Sequence, residues 1–177
     1  MSVIANIIRN ATRTPYQPLN ILVAPYNNTF ELSLSQGTPH HFYLLYEMQI
    51  APGEKVLDKK LHYLSTDIKN WSISLDLDLI ICNDITTQIS SCSQISKILH
   101  IPLLIIHHFV KPDFVKNEDI QILKDNSAND TIVSMSEEIN DSWYANFPVM
   151  PHPDNAPAFT DKWNNLFNDI SQKPFIG

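Results

Sequence analysis

The chain has 177 residues, an apolar fraction of 44% and a formal net charge of −7. That length and apolar content suffice for one domain with a buried core, and no apolar run approaches the roughly 20 residues that a membrane-spanning helix needs. A negative chain without a Lys/Arg stripe is poorly suited to general nucleic-acid binding. Its three glycines, Gly37, Gly53 and Gly177, are too far apart to form a glycine-rich phosphate loop.

The N-terminus and the two cysteines bear on the compartment in which the chain folds. Residues 1–18 lack the basic start, long apolar core and small-residue cleavage site of a secretory signal peptide. Cys82 falls in a predicted strand and Cys92 on a predicted helix face, as expected for buried free thiols in a reducing compartment. We therefore expect a cytoplasmic protein. The spacing of cysteines and histidines predicts no metal site, and we expect no cofactor.

The first part of the chain alternates between apolar runs and polar, helix-forming segments. In chain order it predicts an amphipathic N-terminal segment at residues 1–18, a strand at Leu19–Ala24, a helix, a strand at Phe42–Tyr46 and a strand at Leu61–Leu64. Asn28 or Thr29 is expected to cap the helix, with Glu31 in its first turn and Gly37 at its end.

The central part predicts a parallel strand–helix–strand unit. Its strands, Leu79–Cys82 and Pro102–Ile106, are apolar at every position, as strands covered on both faces must be. Between them, apolar residues recur at the three- and four-residue steps of one helix face: Ile85, Ile89, Cys92, Ile95, Ile98 and Leu99. Both strands end at polar residues, and ligands bind at the carboxyl ends of the strands in open parallel sheets.

The last part of the chain continues the alternation. It predicts a helix at Lys111–Asp125, a strand at Thr131–Met135, a helix capped by Ser136, a short strand at Phe147–Met150 and a helix at Ala158–Ile170. Phe159, Trp163, Phe167 and Ile170 form an apolar stripe on the final helix. We expect this stripe to pack onto the chain's own domain, because it is too apolar to leave in water.

This order of elements predicts an α/β fold: a single doubly wound, mostly parallel Rossmann-like sheet with helices on both faces. We divide the chain into an N-terminal segment (1–18), a Rossmann-like domain (19–155) and a C-terminal helix that packs on it (156–177). The strand at Leu61–Leu64 should lie at one edge of the sheet and the strand at Phe147–Met150 at the other.

Candidate functional residues lie just after the predicted strands, at the edge where a ligand would bind. They are Asn27, Asn28, Glu47, Asn83, Asp84, His107, His108, Ser134 and Ser136. Asn28, Asp84 and Ser136 belong to residue types that cap helices, which is a sufficient explanation for them. Neighbouring strand residues point to opposite faces, so His107 and His108 cannot easily chelate one metal ion. One of these histidines could instead supply acid–base or hydrogen-bonding chemistry at a cleft.

Three short segments follow one another in an order that resembles the N-terminal half of a GT-B glycosyltransferase of the glycosyl transferase family 4, or group 1, type. They are Asn28-Thr29-Phe30-Glu31, His40-His41-Phe42-Tyr43 and Ile106-His107-His108. The segment Pro151-His152-Pro153-Asp154 resembles the junction at which chains of that family leave their first domain. The resemblance spans residues 19–155.

The resemblance implies the acceptor-binding half of a glycosyltransferase. In that family a second Rossmann-like domain binds the nucleotide-sugar and carries a pair of glutamates eight residues apart, and no two glutamates of this chain have that spacing. The isolated chain is therefore expected to transfer no sugar. A partner chain would have to supply the donor domain, and a sugar acceptor would bind here.

Two other functions stay open beside this one. The chain could be a non-catalytic binding or structural module that keeps the glycosyltransferase fold within a larger assembly or a homo-oligomer. It could also be an unrelated α/β protein that binds or hydrolyses a small molecule at the edge formed by His107 and His108. The residues alone identify no catalyst, because no serine lies in a nucleophile-elbow context.

Overall fold

A computed structural model describes residues 14, 17–48, 55, 57–65, 67, 75–84, 86–113, 131–143, 145–152 and 156–173. Most of the amphipathic segment expected at residues 1–18 lies outside the described residues. So do most of the helix expected at Lys111–Asp125 and the last part of the proline-rich junction.

Six strands form one sheet in which every hydrogen-bonded pair is parallel. The strands are β1 (Asn20–Ala24), β2 (His41–Leu45), β3 (Leu61–Leu64), β4 (Leu79–Cys82), β5 (Leu103–His107) and β6 (Thr131–Ser134). Their order across the sheet is β3-β2-β1-β4-β5-β6, which confirms the doubly wound, Rossmann-like prediction. β3 lies at one edge as expected. At the other edge, the predicted strand at Phe147–Met150 is reduced to one parallel bridge between Val149 and Ser134.

The described residues include four α-helices: α1 (Asn28–Gly37), α2 (Ile89–Leu99), α3 (Glu137–Ser142) and α4 (Ala156–Ser171). The prediction that Asn28 or Thr29 caps α1 is wrong by one position. The cap is Asn27, whose Oδ1 accepts a hydrogen bond from the Phe30 amide at 2.9 Å. The predicted cap of α3 is confirmed, because Ser136 Oγ accepts from the Ile139 amide at 3.2 Å.

The helix α2 begins later than the apolar spacing suggests. The carboxylate of Asp84 accepts a hydrogen bond from the Thr86 amide at 2.8 Å and another from the Thr86 hydroxyl at 2.6 Å. These bonds close a separate turn, since a short carboxylate side chain competes with the helix for nearby backbone donors. Asp84 therefore holds a turn and does not cap α2, which starts at Ile89 with Gln88 in the cap position.

The sheet carries helices on both faces because successive strand residues point to opposite sides. Ile21 and Val23 of β1 belong to an apolar cluster that also contains residues of α1 and α4. Leu22 and Ala24 belong to a second cluster, which contains residues of α2 and α3. This arrangement explains why β1 is apolar at consecutive positions and does not alternate.

The two cysteines are free and buried, as expected. Cys82 ends β4 and Cys92 lies on α2, both within the apolar cluster that contains α2 and α3. The hydrogen bond with Cys92 and burial raise the pKa of the Cys82 thiol well above its ordinary value. Both thiols therefore act as small apolar core groups.

The apolar stripe of α4 packs inward, which confirms the prediction for the final helix. Trp163 is fully buried, and its indole Nε1 donates to the Pro151 carbonyl at 3.1 Å. Its ring lies edge-on to Phe30 of α1, with the ring centroids 6.0 Å apart. A buried tryptophan needs a partner for its N–H, and this bond supplies one. The stripe is therefore part of the domain core.

Gly37 ends α1 as expected, but it does not adopt the left-handed conformation in which glycine commonly closes a helix. No glycine in the described part of the chain has a positive φ, and the cap residue Thr38 is extended. A Cβ on Gly37 would instead lie 2.9 Å from Cε1 of Phe159. The glycine therefore suits the close contact between α1 and the Phe159 ring of α4, because a side chain at this position would force the ring to shift.

We predict that Gly37→Ala lowers the free energy of unfolding by about 1–3 kcal/mol, because the added methyl group overpacks the contact with Phe159. Alanine is otherwise the better helix former by about 1 kcal/mol, so the sign of the change identifies the contact. Urea unfolding of Gly37→Ala, Phe159→Ala and the double variant measures it. In the Phe159→Ala background the glycine substitution should become neutral or stabilising. A destabilisation of equal size in both backgrounds would contradict the packing explanation.

Candidate functional site

The candidate site lies where the strand order reverses, between β1 and β4. After β1 the chain moves outward to β2 and β3, and it then returns to add β4, β5 and β6 on the other side. The loops that follow β1 and β4 therefore separate and leave a crevice at the carboxyl edge of the sheet. Five of the predicted site residues come from the ends of β1, β4 and β5: Asn27, Asn83, Asp84, His107 and His108.

Asn83 is a fully buried amide at the centre of this crevice. Its Nδ2 donates to the carbonyl of Ala24, the last residue of β1, at 2.8 Å. Its Oδ1 lies 2.8 Å from Nε2 of His108, which follows β5. One side chain therefore connects the ends of three neighbouring strands, and removing it would leave buried polar groups without partners.

Gln88 supports Asn83 from the start of α2. Its Oε1 accepts from the backbone amide of Asn83 at 3.1 Å. Its Nε2 donates to the carbonyls of Pro25 at 3.1 Å and Met48 at 2.8 Å. The turn after β1, the segment after β2 and the end of β4 are thus held together by one buried side chain.

Asn27 and Glu31 order the turn between β1 and α1. While Asn27 caps the helix, the carboxyl group of Glu31 reaches back and accepts from the amides of Tyr26 at 2.6 Å and Asn27 at 3.1 Å. This exchange is a variant of the capping box, with the acidic residue one position later than usual. It explains Asn27 as a structural residue of the crevice wall.

Glu31 is fully buried and contacts the central amide of the site. Its Oε1 lies 3.5 Å from Nδ2 of Asn83. Burial raises the pKa of Glu31 from 4.5 to about 8, and the hydrogen bonds from Tyr26 and Asn27 act in the opposite direction. Burial has the larger effect, and among the described residues no cation acts on this carboxylate to replace its hydration. The side chain is therefore mostly neutral at pH 7.

His108 is held between aromatic rings. It stacks on Tyr26 with the ring centroids 4.1 Å apart and the planes 6° from parallel, and the edge of Phe30 packs against it. Burial lowers the pKa of His108 from 6.5 to about 3, and the neighbouring His107 and His152 act in the same direction. The imidazole is therefore neutral at physiological pH and can both donate and accept one hydrogen bond.

A cavity of about 140 Å³ opens beside these groups. It is lined by side chains that follow β4 and β5, together with residues packed above them: Asn83, Asp84, Thr86, Ile106, His107, His108, Phe109, Pro112 and Trp143. Carboxylate, amide, hydroxyl and imidazole groups thus face the same space as two aromatic rings. No Lys or Arg is among these described lining residues.

Asp84 is the charged group of the cavity. Burial acts to raise the pKa of Asp84, but hydrogen bonds from Thr86 and Thr87 outweigh it and hold the pKa below its ordinary 3.8. The side chain therefore stays ionised at neutral pH. It already accepts hydrogen bonds from Thr86 and Thr87, and a carboxylate has lone pairs for further donors.

His107 and His108 point to opposite sides of β5, as the strand geometry predicts. His107 is buried, stacks on Phe147 with centroids 5.4 Å apart, and packs against Trp143 at 4.6 Å. Trp143 in turn donates from its Nε1 to the Phe109 carbonyl at 2.9 Å. His107 is thus mainly a packing residue beneath the cavity, whereas His108 faces the crevice network.

The remaining predicted residues do not line the cavity. Asn28 lies inside α1, and Glu47 is exposed on a 3₁₀ turn at Tyr46–Met48. Ser134 is buried and donates to the Ser136 carbonyl at 3.0 Å, while the Ser136 side chain caps α3. These serines have structural hydrogen bonds, which agrees with the capping alternative.

Sequence reasoning did not select the buried groups that build the site. Glu31 was recognised only as an acidic residue in a first helical turn, and Gln88, Tyr26 and Trp143 gave no separate signal. The pairing of Asn27 with an acid four positions later does resemble a capping box. Nothing in the local sequence indicates that this acid is buried against Asn83.

A larger cavity of about 780 Å³ lies elsewhere, at the amino ends of the strands. Its walls come from one side of α4 (Asn164, Asn165 and Asn168) and from residues that precede β1 and β2 (Gln17 and His40). It is far from the network around Asn83. We therefore take the smaller cavity as the candidate site, because ligands of open parallel sheets bind at the carboxyl edge.

Comparison of the chain with protein-family models, with curated protein sequences and with solved structures gave no match. In the described residues, no group of three or more His, Cys, Asp or Glu side chains is arranged to hold a metal ion. None of the helices described here combines the length and apolar character needed to cross a bilayer.

We predict that Glu31 makes folding less favourable as pH rises. Its pKa is higher in the folded chain, at about 8, than the ordinary 4.5, so the folded state binds the extra proton. The free energy of unfolding should therefore fall between about pH 4.5 and pH 8, by up to about 1.4 kcal/mol for each unit of pKa difference.

Glu31→Gln tests this, because the amide cannot ionise. The variant loses one acceptor for the amides of Tyr26 and Asn27 and should be less stable overall, but it should lose the decline over this pH range. Denaturant unfolding at several pH values measures the effect, with the exposed Glu138→Gln as the matched control. An unchanged decline in Glu31→Gln would rule out Glu31 as its source.

Proposed function

We propose that the cavity at the carboxyl edge binds a neutral, hydroxyl-bearing small molecule, such as one ring of a sugar. The observation that carries this proposal is the composition of the lining. An ionised carboxylate (Asp84), an amide (Asn83), a hydroxyl (Thr86) and a neutral imidazole (His108) adjoin the aromatic side chains of Phe109 and Trp143. Acceptor groups suit hydroxyl donors, and aromatic rings suit the apolar face of a sugar ring.

The charge of the cavity argues for a neutral ligand. Asp84 is ionised and His108 is neutral, so the site provides a negative charge and no compensating cation among the described lining residues. Phosphate recognition uses Arg, Lys, closely spaced backbone amides or a helix N-terminus. A phosphate or nucleotide would meet repulsion from Asp84.

The size of the cavity also argues for a small ligand and against a nucleotide. Pockets for drug-sized ligands enclose about 300–1,000 Å³, whereas this one encloses about 140 Å³. A complete nucleotide-sugar would not fit, but one end of an acceptor would. This supports the role implied by the resemblance to GT-B glycosyltransferases, in which this half binds the acceptor and a donor domain on a partner chain binds the nucleotide-sugar.

Binding can be tested by saturation-transfer NMR with a panel of methyl glycosides of common monosaccharides. We expect weak binding of at least one neutral sugar. Asp84→Asn should reduce that affinity about 10- to 100-fold, since hydrogen bonds to charged groups are worth about 1.5–3 kcal/mol. Asp141→Asn, at an exposed position on α3, is the matched control and should bind as the unaltered chain does. Tighter binding of a nucleotide-sugar than of every neutral sugar would contradict the proposal.

A second candidate function is that of a non-catalytic module within an assembly. The observation that favours it is the exposure of Phe109 (43%) and Val110 (50%) beside the cavity. Adjacent exposed apolar residues next to a crevice are typical of a contact surface, although a patch of this size buries little area by itself. A second copy of the chain or a donor-domain chain could cover it.

Sedimentation equilibrium separates this candidate from the first. If the patch is an interface between copies, the chain should self-associate, and Val110→Lys should make it monomeric. Leu57→Lys is the matched control, because Leu57 is equally apolar and 96% exposed but precedes β3 at the amino edge. A chain that is monomeric at every concentration before any substitution would exclude the homo-oligomer.

A further inference from the structure

We propose that Asn83 is a positioning residue that fixes His108 as the neutral tautomer protonated on Nε2 and so keeps Nδ1 as a hydrogen-bond acceptor at the cavity. The consequence for ligands rests on the function proposed above, but the state of the imidazole does not. The state of the imidazole depends on the orientation of the Asn83 amide, on the orientation of the ring and on the charges around the ring.

The orientation of the Asn83 amide is determined by its neighbours. One end of the amide faces the carbonyl of Ala24 at 2.8 Å, and a carbonyl can only accept. That end must therefore be Nδ2, which donates. The same end of the amide lies 3.5 Å from Oε1 of Glu31. Oε1 is also an acceptor when the proton of the Glu31 carboxyl group is on Oε2. Oδ1 must then face His108.

The orientation of the amide decides which ring nitrogen of His108 carries the proton. Oδ1 of Asn83 can only accept, so Nε2, at 2.8 Å, must donate. A neutral imidazole has one N–H, which leaves Nδ1 with a lone pair. Among the described residues no hydrogen bond to Nδ1 is found, Nδ1 is not among the buried unpaired atoms, and His108 is one of the residues that line the cavity.

Aromatic packing prevents the ring from turning about its Cβ–Cγ bond, a turn that would place Cε1 instead of Nε2 opposite Asn83. Tyr26 covers one face of the imidazole with almost parallel planes, and Phe30 packs edge-on at a centroid distance of 4.8 Å. Tyr26 is itself fixed through its backbone amide, which donates to Glu31. A ring flip would require the aromatic stack to open, so the orientation set by Asn83 persists.

The groups that face His108 keep it neutral. His107 on β5 and His152 beyond the bridge at Val149 act against a second proton, whereas Asp84 after β4 acts in its favour. Glu31 on α1 is separated from the ring by the Asn83 amide and is mostly neutral at pH 7. Burial is the largest effect and lowers the pKa of His108 to about 3.

An acceptor held in this way selects ligands by hydrogen-bond polarity. A hydroxyl or amine can donate to Nδ1, but a carboxylate or phosphate oxygen cannot, and the neighbouring Asp84 is also an acceptor. An imidazolium at this position would do the reverse and attract anions. The same residue in a different protonation state would therefore give a different ligand class.

The test is ¹⁵N–¹H correlation NMR on the full chain labelled at histidine, which reports the protonation of each ring nitrogen. For His108 we expect one protonated and one unprotonated nitrogen, with a solvent-protected proton on Nε2, unchanged from pH 8 to pH 5. Free histidine takes up its second proton within this range. A His108 ring that is protonated on both nitrogens by pH 5, or on Nδ1, would overturn the proposal without any variant being made.

Asn83→Asp separates positioning from simple packing. The carboxylate has nearly the same shape, but it favours the imidazolium, so the pKa of His108 should rise by at least one unit and both nitrogens should be protonated at a higher pH than in the unaltered chain. The exposed Asn146→Asp adds the same charge elsewhere and should leave His108 unchanged. If Asn83→Asp folds with an unaltered His108 titration, Asn83 does not set the protonation state.

Ligand binding is measured separately, with the methyl glycosides and with inorganic phosphate as the anionic probe. Where a sugar binds, Asn83→Asp should weaken its binding at least tenfold, and His108→Gln should do the same because it retains a donor for Asn83 but has no atom at Nδ1. Equal sugar affinity in His108→Gln would overturn the acceptor role of Nδ1. If the tautomer is confirmed and no glycoside binds, the positioning of His108 stands and the proposed sugar-binding function fails.

Discussion

The structure of the crevice depends on one buried amide. The hydrogen bonds of Asn83 hold the end of β4 to the end of β1 and to the residue after β5, and these three strands are neighbours in the sheet. The strand ladders fix the spacing of the strands but not the conformation of the loops that leave them. Because a buried amide costs free energy unless it is satisfied, the loops on both sides must adopt the conformation that satisfies it.

The two titratable groups next to this amide are both neutral, although one is an acid and one a base. Burial moves the pKa of Glu31 up and that of His108 down, and among the residues that the structure describes neither has an ion-pair partner at the crevice. The two groups therefore make the free energy of unfolding depend on pH in opposite directions. The Glu31 contribution is lost as pH rises from about 4.5 to 8, and the His108 contribution is lost as pH falls from about 6.5 to 3. The charge that remains at the cavity is that of Asp84.

The sequence predicted the sheet well because the strands are buried on both faces. A short run that is apolar at every position, such as Leu79–Cys82, indicates a buried strand when a helical pattern follows it. The alternation of strands and helices indicates a doubly wound parallel sheet, and the observed strand order is the Rossmann one. The predictions that were wrong concern the starts of helices, which are set by side chains in the preceding loops. Asn27 takes the cap position from Asn28, and the Asp84 turn delays α2, because residues within one or two positions compete for the same backbone donors.

The site was predicted only in part for a related reason: Glu31 meets Asn83 through the fold, at a sequence distance that no local pattern can detect.

The position of α4 has a consequence for how the chain acquires its structure. One face of β1 is covered by α1 and by the stripe of α4 that contains Trp163, which lies far along the chain. During synthesis the apolar side chains of Ile21 and Val23 emerge long before this covering helix does. Contacts between such distant segments form slowly, and apolar surface that waits for its partner invites association between nascent chains. Until α4 has left the ribosome, the face of β1 that carries Ile21 and Val23 therefore lacks the part of its covering that α4 provides.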